Sequence, residues 1–343
     1  MKNRSLLMVC FSILMTLITI SESGAQERRF NLSEILAPDT AITIGSLDNG
    51  LTFYIKENKK PEKRAELRLV VNAGSVLEDD DQQGLAHFVE HMAFNGTKSF
   101  PKQEIIDFLE KYGVRFGPHL NAYTSFDQTV YMLQVPTDSP MVVQKGFKIL
   151  QEWANAIAFN EKEIDKERGV LVEEWRLGQG AYERISNKHY PVIFYQSQYA
   201  KRLPIGKKEV LDTSSYESIR RFYRQWYRPN LMAVVAVGDF NKSEIEKLIR
   251  DDFTALRNPD STRARPKYTL PDHQVSLASV ATDPEMNFST VQVLFKRNLE
   301  EQKSVAAHRR YLLNQIYDGM LNARLTERMR QSDPPYVFAY SGN

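Results

Sequence analysis

Residues 85–94 read Leu-Ala-His-Phe-Val-Glu-His-Met-Ala-Phe, and this pattern predicts both a helix and its chemistry. On an α-helix, His87 and His91 lie one turn apart and about 40° apart around the axis, so both imidazoles can reach one ion. Glu90 lies about 60° from His87 on the other side, so all three side chains project into one sector. Two neutral imidazoles suit zinc, and a carboxylate beside a zinc-bound water suits a general base. The order His-x-x-Glu-His inverts the His-Glu-x-x-His pattern of other zinc hydrolases.

The alternative interpretation is a pair of ordinary histidines flanking an acid on an amphipathic helix. The chain has six histidines, and composition alone would produce the five-residue pattern in on the order of one in a hundred such chains. A catalytic zinc site needs a third protein ligand and an open position for water. A third ligand elsewhere in the chain therefore distinguishes the two interpretations.

A second predicted helix, residues 161–178, offers the candidate carboxylates Glu163, Glu167, Glu173 and Glu174. Its inward face is marked by three apolar residues, Ile164, Leu171 and Trp175. Glu167 and Glu174 are seven residues apart, hence nearly superimposed, and both border that apolar stripe, whereas Glu173 points to the far side. Helical phase thus selects Glu174 as a ligand and Glu167 as a nearby second carboxylate. Burying both is costly unless a cation lies between them, and zinc would supply that cation.

The first residues differ in composition from the remainder. Lys2 and Arg4 precede an apolar run at 6–20, which is followed by Ser23-Gly24-Ala25. A charged start, a short apolar core and a small-x-small site predict a secretory signal cut near Ala25. A membrane anchor is the alternative, but the run is short for spanning a bilayer. Cys10 is the single cysteine, so the mature protein would use no disulfides, and a periplasmic location fits.

Length and charge set further bounds. The chain has 343 residues and a formal net charge of +2, which allows one large or two ordinary domains and gives no argument for nucleic acid. Strands and helices mix without a strict β-α-β rhythm, which predicts an α+β fold. We expect a signal peptide at 1–25, a zinc-binding catalytic domain at 26–256, a linker at 257–271 and a partial second α+β domain at 272–343.

Individual elements follow from periodicity and turn residues. Strands are predicted at 42–44, 52–55, 66–73, 121–124, 129–135, 231–237, 275–281 and 290–295. Helices are predicted at 101–112, 141–158, 161–178, 214–226, 243–253 and 305–330. The acidic run 78–81 is predicted to be a solvated loop and not a second metal site, and the segment around His189-Tyr190-Pro191 is predicted to be loop-rich.

Several motifs together carry a resemblance to a known family. His87-Phe88-Val89-Glu90-His91, followed by residues 167–174 (Glu-Arg-Gly-Val-Leu-Val-Glu-Glu), resembles the pitrilysin/insulinase family of zinc peptidases. Three further stretches contribute to this resemblance: Asn121-Ala122-Tyr123-Thr124, Arg202-Leu203-Pro204-Ile205-Gly206, and Tyr227-Arg228-Pro229-Asn230 with Gly238-Asp239. The resemblance runs from about Leu47 to the C-terminus and is closest to large secreted bacterial members.

The resemblance implies a processing-peptidase-like metallohydrolase domain followed by the start of a second similar domain. It implies that His87, His91 and Glu174 are zinc ligands, Glu90 is the base and Glu167 supports the site. It also implies that Asn121 and Ala122 lie on the strand that pairs with substrate. Family members close a chamber from two halves on one chain or two subunits, so a second half or a homo-oligomer is expected as partner.

The expected function is a zinc metalloendopeptidase that hydrolyses peptides or unstructured polypeptides through a zinc-bound water activated by Glu90. The alternative is a zinc-binding but catalytically incomplete fragment or subunit, which needs a partner half to form the chamber. The region after the linker is too short to bury much surface by itself. We therefore expect either that the reading frame continues past Asn343 or that this C-terminal piece docks on the first domain.

Overall fold

The structure is a computed structural model that describes residues 31–342, and the predicted signal peptide lies outside the described residues. Two compact units are present. The larger comprises Asp39–Gln292, and the smaller joins the residues up to Pro38 with Val293–Asn343. The larger unit ends at Gln292, beyond the linker predicted at 257–271, and the predicted domain boundaries stay a prediction. Within the described part of the chain, no helix has the length and apolar character needed to cross a membrane.

A six-stranded mixed sheet forms the centre of the larger unit. Its strands are β1 (Ile42–Ser46), β2 (Thr52–Glu57), β3 (Arg64–Val71), β4 (Leu120–Thr124), β5 (Thr129–Pro136) and β6 (Met232–Gly238). Their order across the sheet is β1-β2-β6-β3-β5-β4. β6 enters the middle of the sheet, parallel to β2 and antiparallel to β3. β4 pairs with β5 and forms one edge of the sheet.

Helices cover the sheet. Those of the larger unit are α1 (Leu85–Met92), α2 (Glu104–Glu110), α3 (Pro140–Asn155), α4 (Glu161–Leu177), α5 (Ala181–Ile193), α6 (Lys208–Thr213), α7 (Tyr216–Trp226) and α8 (Lys242–Phe253). The smaller unit contains α9 (Val305–Met329). Side chains alternate along β3 between buried and part-exposed, so one face of the strand supplies the core. The predicted α+β fold is confirmed.

The local structure differs from the prediction in the segment around Pro191 and in the segments 275–281 and 290–295. The segment around Pro191 is the end of α5, since Pro191 lies in its last turns, where a missing N–H removes one helical hydrogen bond. The segments 275–281 and 290–295 form no strand. Val280 and Val291 are 93% and 94% exposed, and an apolar alternation makes a strand only where a neighbouring strand pairs its backbone.

The N-terminus of α1 is held by a buried acid. Glu78 is 3% exposed, and its carboxylate accepts hydrogen bonds from the backbone N–H groups of Gly84, at 3.0 Å, and Ala86, at 2.8 Å. Burial raises the pKa of Glu78 to about 8, against the opposing effect of these N–H groups. The expectation of a solvated acidic loop is therefore wrong for Glu78, because helix α1 begins with backbone N–H groups that need a partner.

A pair of glycines lets the chain close over this helix end. Gly84 has a φ of 101°, a conformation that favours glycine, and a Cβ on Gly206 would lie 2.3 Å from the Cα of Gly84. Arg202, in the same loop as Gly206, donates from Nε to the carbonyl of Glu78 at 2.9 Å. The Arg-Leu-Pro-Ile-Gly stretch therefore helps to position the metal-binding helix.

We expect Glu78→Ala to lower the free energy of unfolding by about 2–4 kcal/mol, since two buried backbone donors lose their acceptor. Glu246→Ala is the matched control, because Glu246 pairs with Arg250 one turn away on α8, and such pairs contribute about 0.3–0.5 kcal/mol. Urea unfolding of both variants measures the difference. Equal losses in the two variants would contradict the capping role.

Candidate metal centre

Three side chains from two helices converge on one point. The Nε2 atoms of His87 and His91 are 3.1 Å apart. Glu174 Oε1 lies 3.8 Å from His87 Nε2, and Glu174 Oε2 lies 3.5 Å from His91 Nε2. One donor atom from each of these three residues lies within 4.8 Å of the others. The structure thus brings together the three residues that the sequence predicts as ligands.

The spacing and chemistry of these atoms fit zinc. A tetrahedral zinc with bonds of about 2.0–2.2 Å places its ligand atoms about 3.3–3.6 Å apart. The three separations in the structure bracket that range. Two imidazoles and one carboxylate from the protein form the ligand set of a catalytic zinc site, which leaves a fourth position for water or substrate. The residues present therefore suit the metal that the sequence predicts.

The packing of α4 on α1 places Glu174. Ile164 and Leu171 of α4 are fully buried, which orients the adjoining carboxylates of that helix toward α1. Arg168 lies 5.7 Å from the ring of Phe88 on α1 and donates to the carbonyl of Ser214 at 2.9 Å. Helical phase and these contacts set Glu174 beside the two histidines, whereas Glu173 pairs with Arg176 on the exposed side.

Glu167 contacts a ligand and not the ligand cluster itself. Its Oε1 accepts from His91 Nδ1 at 2.7 Å, and its Oε2 accepts from Asn95 Nδ2 at 2.6 Å. A carboxylate on Nδ1 holds the ring orientation and leaves Nε2 as the metal-binding atom. This contact suits Glu167 to orient the His91 ring, and its predicted supporting and catalytic role stays a prediction. Asn95, four residues after His91, was not singled out in the sequence, although its helical phase could have suggested it.

The surroundings of the two histidines shift their pKa values in opposite directions. Burial and the nearby His91 lower the pKa of His87 to about 4. Burial also acts to lower the pKa of His91, but its hydrogen bonds to Glu167 and Glu174 raise that pKa to about 9. At neutral pH, His87 is therefore a neutral ligand, while His91 carries a proton that a divalent cation would displace.

Glu90 lies on the same helix, buried beside β4. It is 6% exposed, and its Oε2 accepts a hydrogen bond from the hydroxyl of Thr124 at 2.7 Å. Burial raises the pKa of Glu90, and the hydrogen bond from Thr124 opposes that rise. Thr124, the last residue of β4, thus holds this carboxylate in place. A raised pKa brings a carboxylate closer to the range in which it can accept a proton and return it.

Asn121 and Ala122 lie on the edge strand β4, which contacts α1. Hydrogen bonds join Gln134 N–H to His119 C=O and Ser125 N–H to Gln128 C=O. Hydrogen-bonded pairs alternate along an antiparallel ladder, so Ala122 and Thr124 direct their backbone groups away from β5, toward the open edge. The N–H of Ala122 is covered by the side chain of Asn121, at 2.9 Å.

The remaining histidines lie outside this cluster. His119 accepts from the backbone N–H of Arg115 in the turn before β4. His189 contacts Ser279, and His273 contacts the carbonyl of Val275.

Replacing a ligand should abolish tight zinc binding. We expect Glu174→Ala to weaken zinc binding by more than about 100-fold, since changes beyond the ligand sphere alone cost about 10–100-fold. Glu173→Ala is the matched control, one position away on the same helix and paired with Arg176. Chelator competition measures both affinities. Unchanged zinc affinity in Glu174→Ala would rule out its assignment as a ligand.

Comparisons with known proteins match this architecture. Two family models match the chain: "Insulinase (Peptidase family M16)" over residues 54–204 and "Peptidase M16 inactive domain" over residues 213–333. The "Zinc protease PQQL-like" protein of Arabidopsis thaliana is 38% identical over 85% of this chain and 31% of its own length. The "Probable zinc protease PqqL" of Escherichia coli is 34% identical over 88% of this chain and 32% of its own length.

A solved structure agrees with the sequence comparisons. The crystal structure of the first half of the periplasmic protease PqqL from Escherichia coli has a TM-score of 0.74 at 32% identity. The match covers 87% of this chain and 63% of that chain. This chain spans about a third of the length of the curated relatives quoted above. The resemblance, the fold class and the zinc prediction are confirmed at the level of the family, and the chain belongs to the insulinase (M16) family of peptidases.

Proposed function

We propose that this chain carries the zinc-dependent centre of an endopeptidase that acts on peptides and unstructured polypeptides. The observation that carries this proposal is the convergence of His87, His91 and Glu174, with Glu90 on the same helix and an open strand edge beside it. The relatives named as zinc proteases support it. When bound, zinc would polarise the scissile carbonyl and lower the pKa of a coordinated water to about 7.

The chain's own side chains would divide the remaining tasks. Glu90 would take a proton from the attacking water and deliver it to the leaving amine, because it is buried and oriented by Thr124. Glu167 would keep the His91 ring in place through Nδ1. His87 and His91 would hold the metal with Nε2, the atoms that face each other across the cluster.

The open edge of β4 would hold the substrate. An extended peptide could add as a further strand, with its backbone bonded to the outward N–H and C=O groups of Ala122. The side chain of Asn121, which now covers that N–H, would have to turn away. Main-chain recognition of this kind orders the substrate backbone and places weak demands on its side chains. It therefore suits flexible peptides.

A second candidate function is a zinc-binding chain that needs a partner half to cleave. The chain spans about a third of the length of its curated relatives, and one solved relative is described as the first half of a longer protease. The partner would be a second peptidase half, a separate subunit or a second copy of this chain.

We also propose export to a periplasm, supported by the charged and apolar pattern of residues 1–25.

Glu90→Gln distinguishes catalysis from metal binding. We expect this variant to bind zinc like the wild type and to cleave a mixed pool of unstructured peptides about 10²–10⁴-fold more slowly, because an amide in place of the carboxylate cannot take a proton. Mass spectrometry of the peptides measures cleavage, and chelator competition measures zinc. Zinc binding without cleavage in either protein would favour the partner-dependent alternative. Equal cleavage by both proteins would exclude Glu90 as the base.

Ala122→Pro tests the strand edge. Proline removes the outward N–H and leaves the β4–β5 ladder intact, so we expect KM for unstructured peptides to rise by about tenfold, the cost of one lost hydrogen bond of about 1.4 kcal/mol. Ala122→Val is the control, since it adds bulk but keeps the N–H. Steady-state kinetics with zinc-saturated protein separates the two. A larger effect of valine than of proline would contradict substrate pairing at this edge.

A further inference from the structure

Asn95 lies just past the end of α1, beside the carboxylate of Glu167, which bonds a candidate zinc ligand. The Nδ2 atom of Asn95 donates to Glu167 Oε2 at 2.6 Å, while Glu167 Oε1 accepts from His91 Nδ1 at 2.7 Å. His91 and Asn95 are four residues apart, so two side chains from one short stretch of chain bond the two oxygens of one carboxylate. Both oxygens of Glu167 are therefore engaged.

An asparagine at this place could instead serve only to close the helix end. Helices end with backbone carbonyls that lack an intrahelical partner, and Asn95 Nδ2 lies 3.3 Å from the carbonyl oxygen of His91. That carbonyl already accepts the N–H of Phe94 at 3.0 Å. A separation of 3.3 Å is longer than usual for an N–H···O hydrogen bond, whereas 2.6 Å is short, as expected for an ionised acceptor. The bond to Glu167 is thus the stronger of the two.

The backbone around Asn95 is fixed to the core of the larger unit. The N–H of Asn95 donates to the carbonyl of Met92 at 3.1 Å. The fully buried Trp153 of α3 donates from Nε1 to the carbonyl of Ala93 at 2.9 Å. The position of Asn95 is therefore set by α1 and α3, and not by α4, which carries Glu167. An amide held in this way offers a fixed donor to a side chain that arrives from another helix.

The surroundings of Glu167 increase the importance of this donor. Lys102 is a nearby cation, but its ammonium group pairs with Glu163, one turn earlier on α4. The side chain of Glu167 is 14% exposed, so water has limited access to its oxygens. Loss of the Asn95 amide would deprive Oε2 of its donor in a largely buried place, where an unmet charged acceptor is costly.

We propose that Asn95 is a positioning residue for the zinc ligand His91 and acts through Glu167. The inference rests on the zinc centre of the proposed function and concerns how firmly that centre binds its metal. With both oxygens bonded, the carboxylate cannot rotate without breaking a hydrogen bond, so it holds the His91 ring with Nε2 directed to the metal position. Without Asn95, carboxylate and ring can turn together, and zinc affinity falls because the ring must be ordered again on binding.

Chelator competition on the intact chain tests this inference. We expect Asn95→Ala to bind zinc about tenfold more weakly than the wild type, since the outer partners of metal ligands contribute about 10–100-fold to affinity. Asn58→Ala is the matched control, because the Asn58 amide donates to the carbonyl of Lys60 at 2.9 Å on the exposed surface after β2. Its zinc affinity should equal that of the wild type. Equal zinc affinities in Asn95→Ala and the wild type would overturn the inference and leave the proposed function intact.

A double-mutant cycle separates positioning through Glu167 from a merely structural effect. Asn95→Ala should cost about tenfold in the wild type and nothing further in a Glu167→Ala background. Similar losses in both backgrounds would show that Asn95 acts by another route, against the inference.

The visible absorption of Co²⁺ bound in place of zinc reports the geometry of the ligands. It should change in Asn95→Ala and stay as in the wild type in Asn58→Ala. The same spectrum in all three proteins would contradict a positioning role. A wild type that binds neither metal would overturn the zinc centre of the proposed function together with this inference.

Discussion

The packing of α4 against α1 is the interaction on which the metal centre depends. Neither helix alone supplies all three candidate ligands, because α1 carries the two histidines and α4 carries Glu174. Ile164 and Leu171 of α4 are fully buried, and the apolar area removed from water stabilises the position of this helix. The carboxylates beside those residues are thereby brought to the histidines. Core packing and metal ligation therefore depend on the same helix face.

Around this contact, the structure holds each reactive group by a second interaction. Glu78 satisfies the first N–H groups of α1, Glu167 fixes the ring of His91, and Thr124 fixes the carboxylate of Glu90. Side chains held in this way lose little entropy when a metal and a substrate arrive. The protein's own side chains thus orient these reactive groups.

Much of the fold was predictable where a local pattern coincides with burial. The alternation of Leu67, Leu69 and Val71 predicted β3, and these residues are fully buried in the structure. The same kind of alternation at 275–281 was misleading, since strand formation needs a paired neighbour. Around Pro191 a loop was predicted where the structure has a helix, because the helix before it is long enough to tolerate one missing N–H. Local signals fail where a distant partner decides the outcome.

The sequence by itself determined the chemistry of this protein: 3.6 residues per turn places His87 and His91 on one face and separates Glu174 from Glu173. Tertiary structure alone decided the contacts between residues far apart in the chain. Glu90 meets Thr124 across 34 positions, and Asn95 meets Glu167 across 72. No helical or strand period connects such pairs, since their distance depends on how the sheet orders its strands. The open edge of β4 likewise exists because β6 enters the middle of the sheet and leaves β4 at the rim.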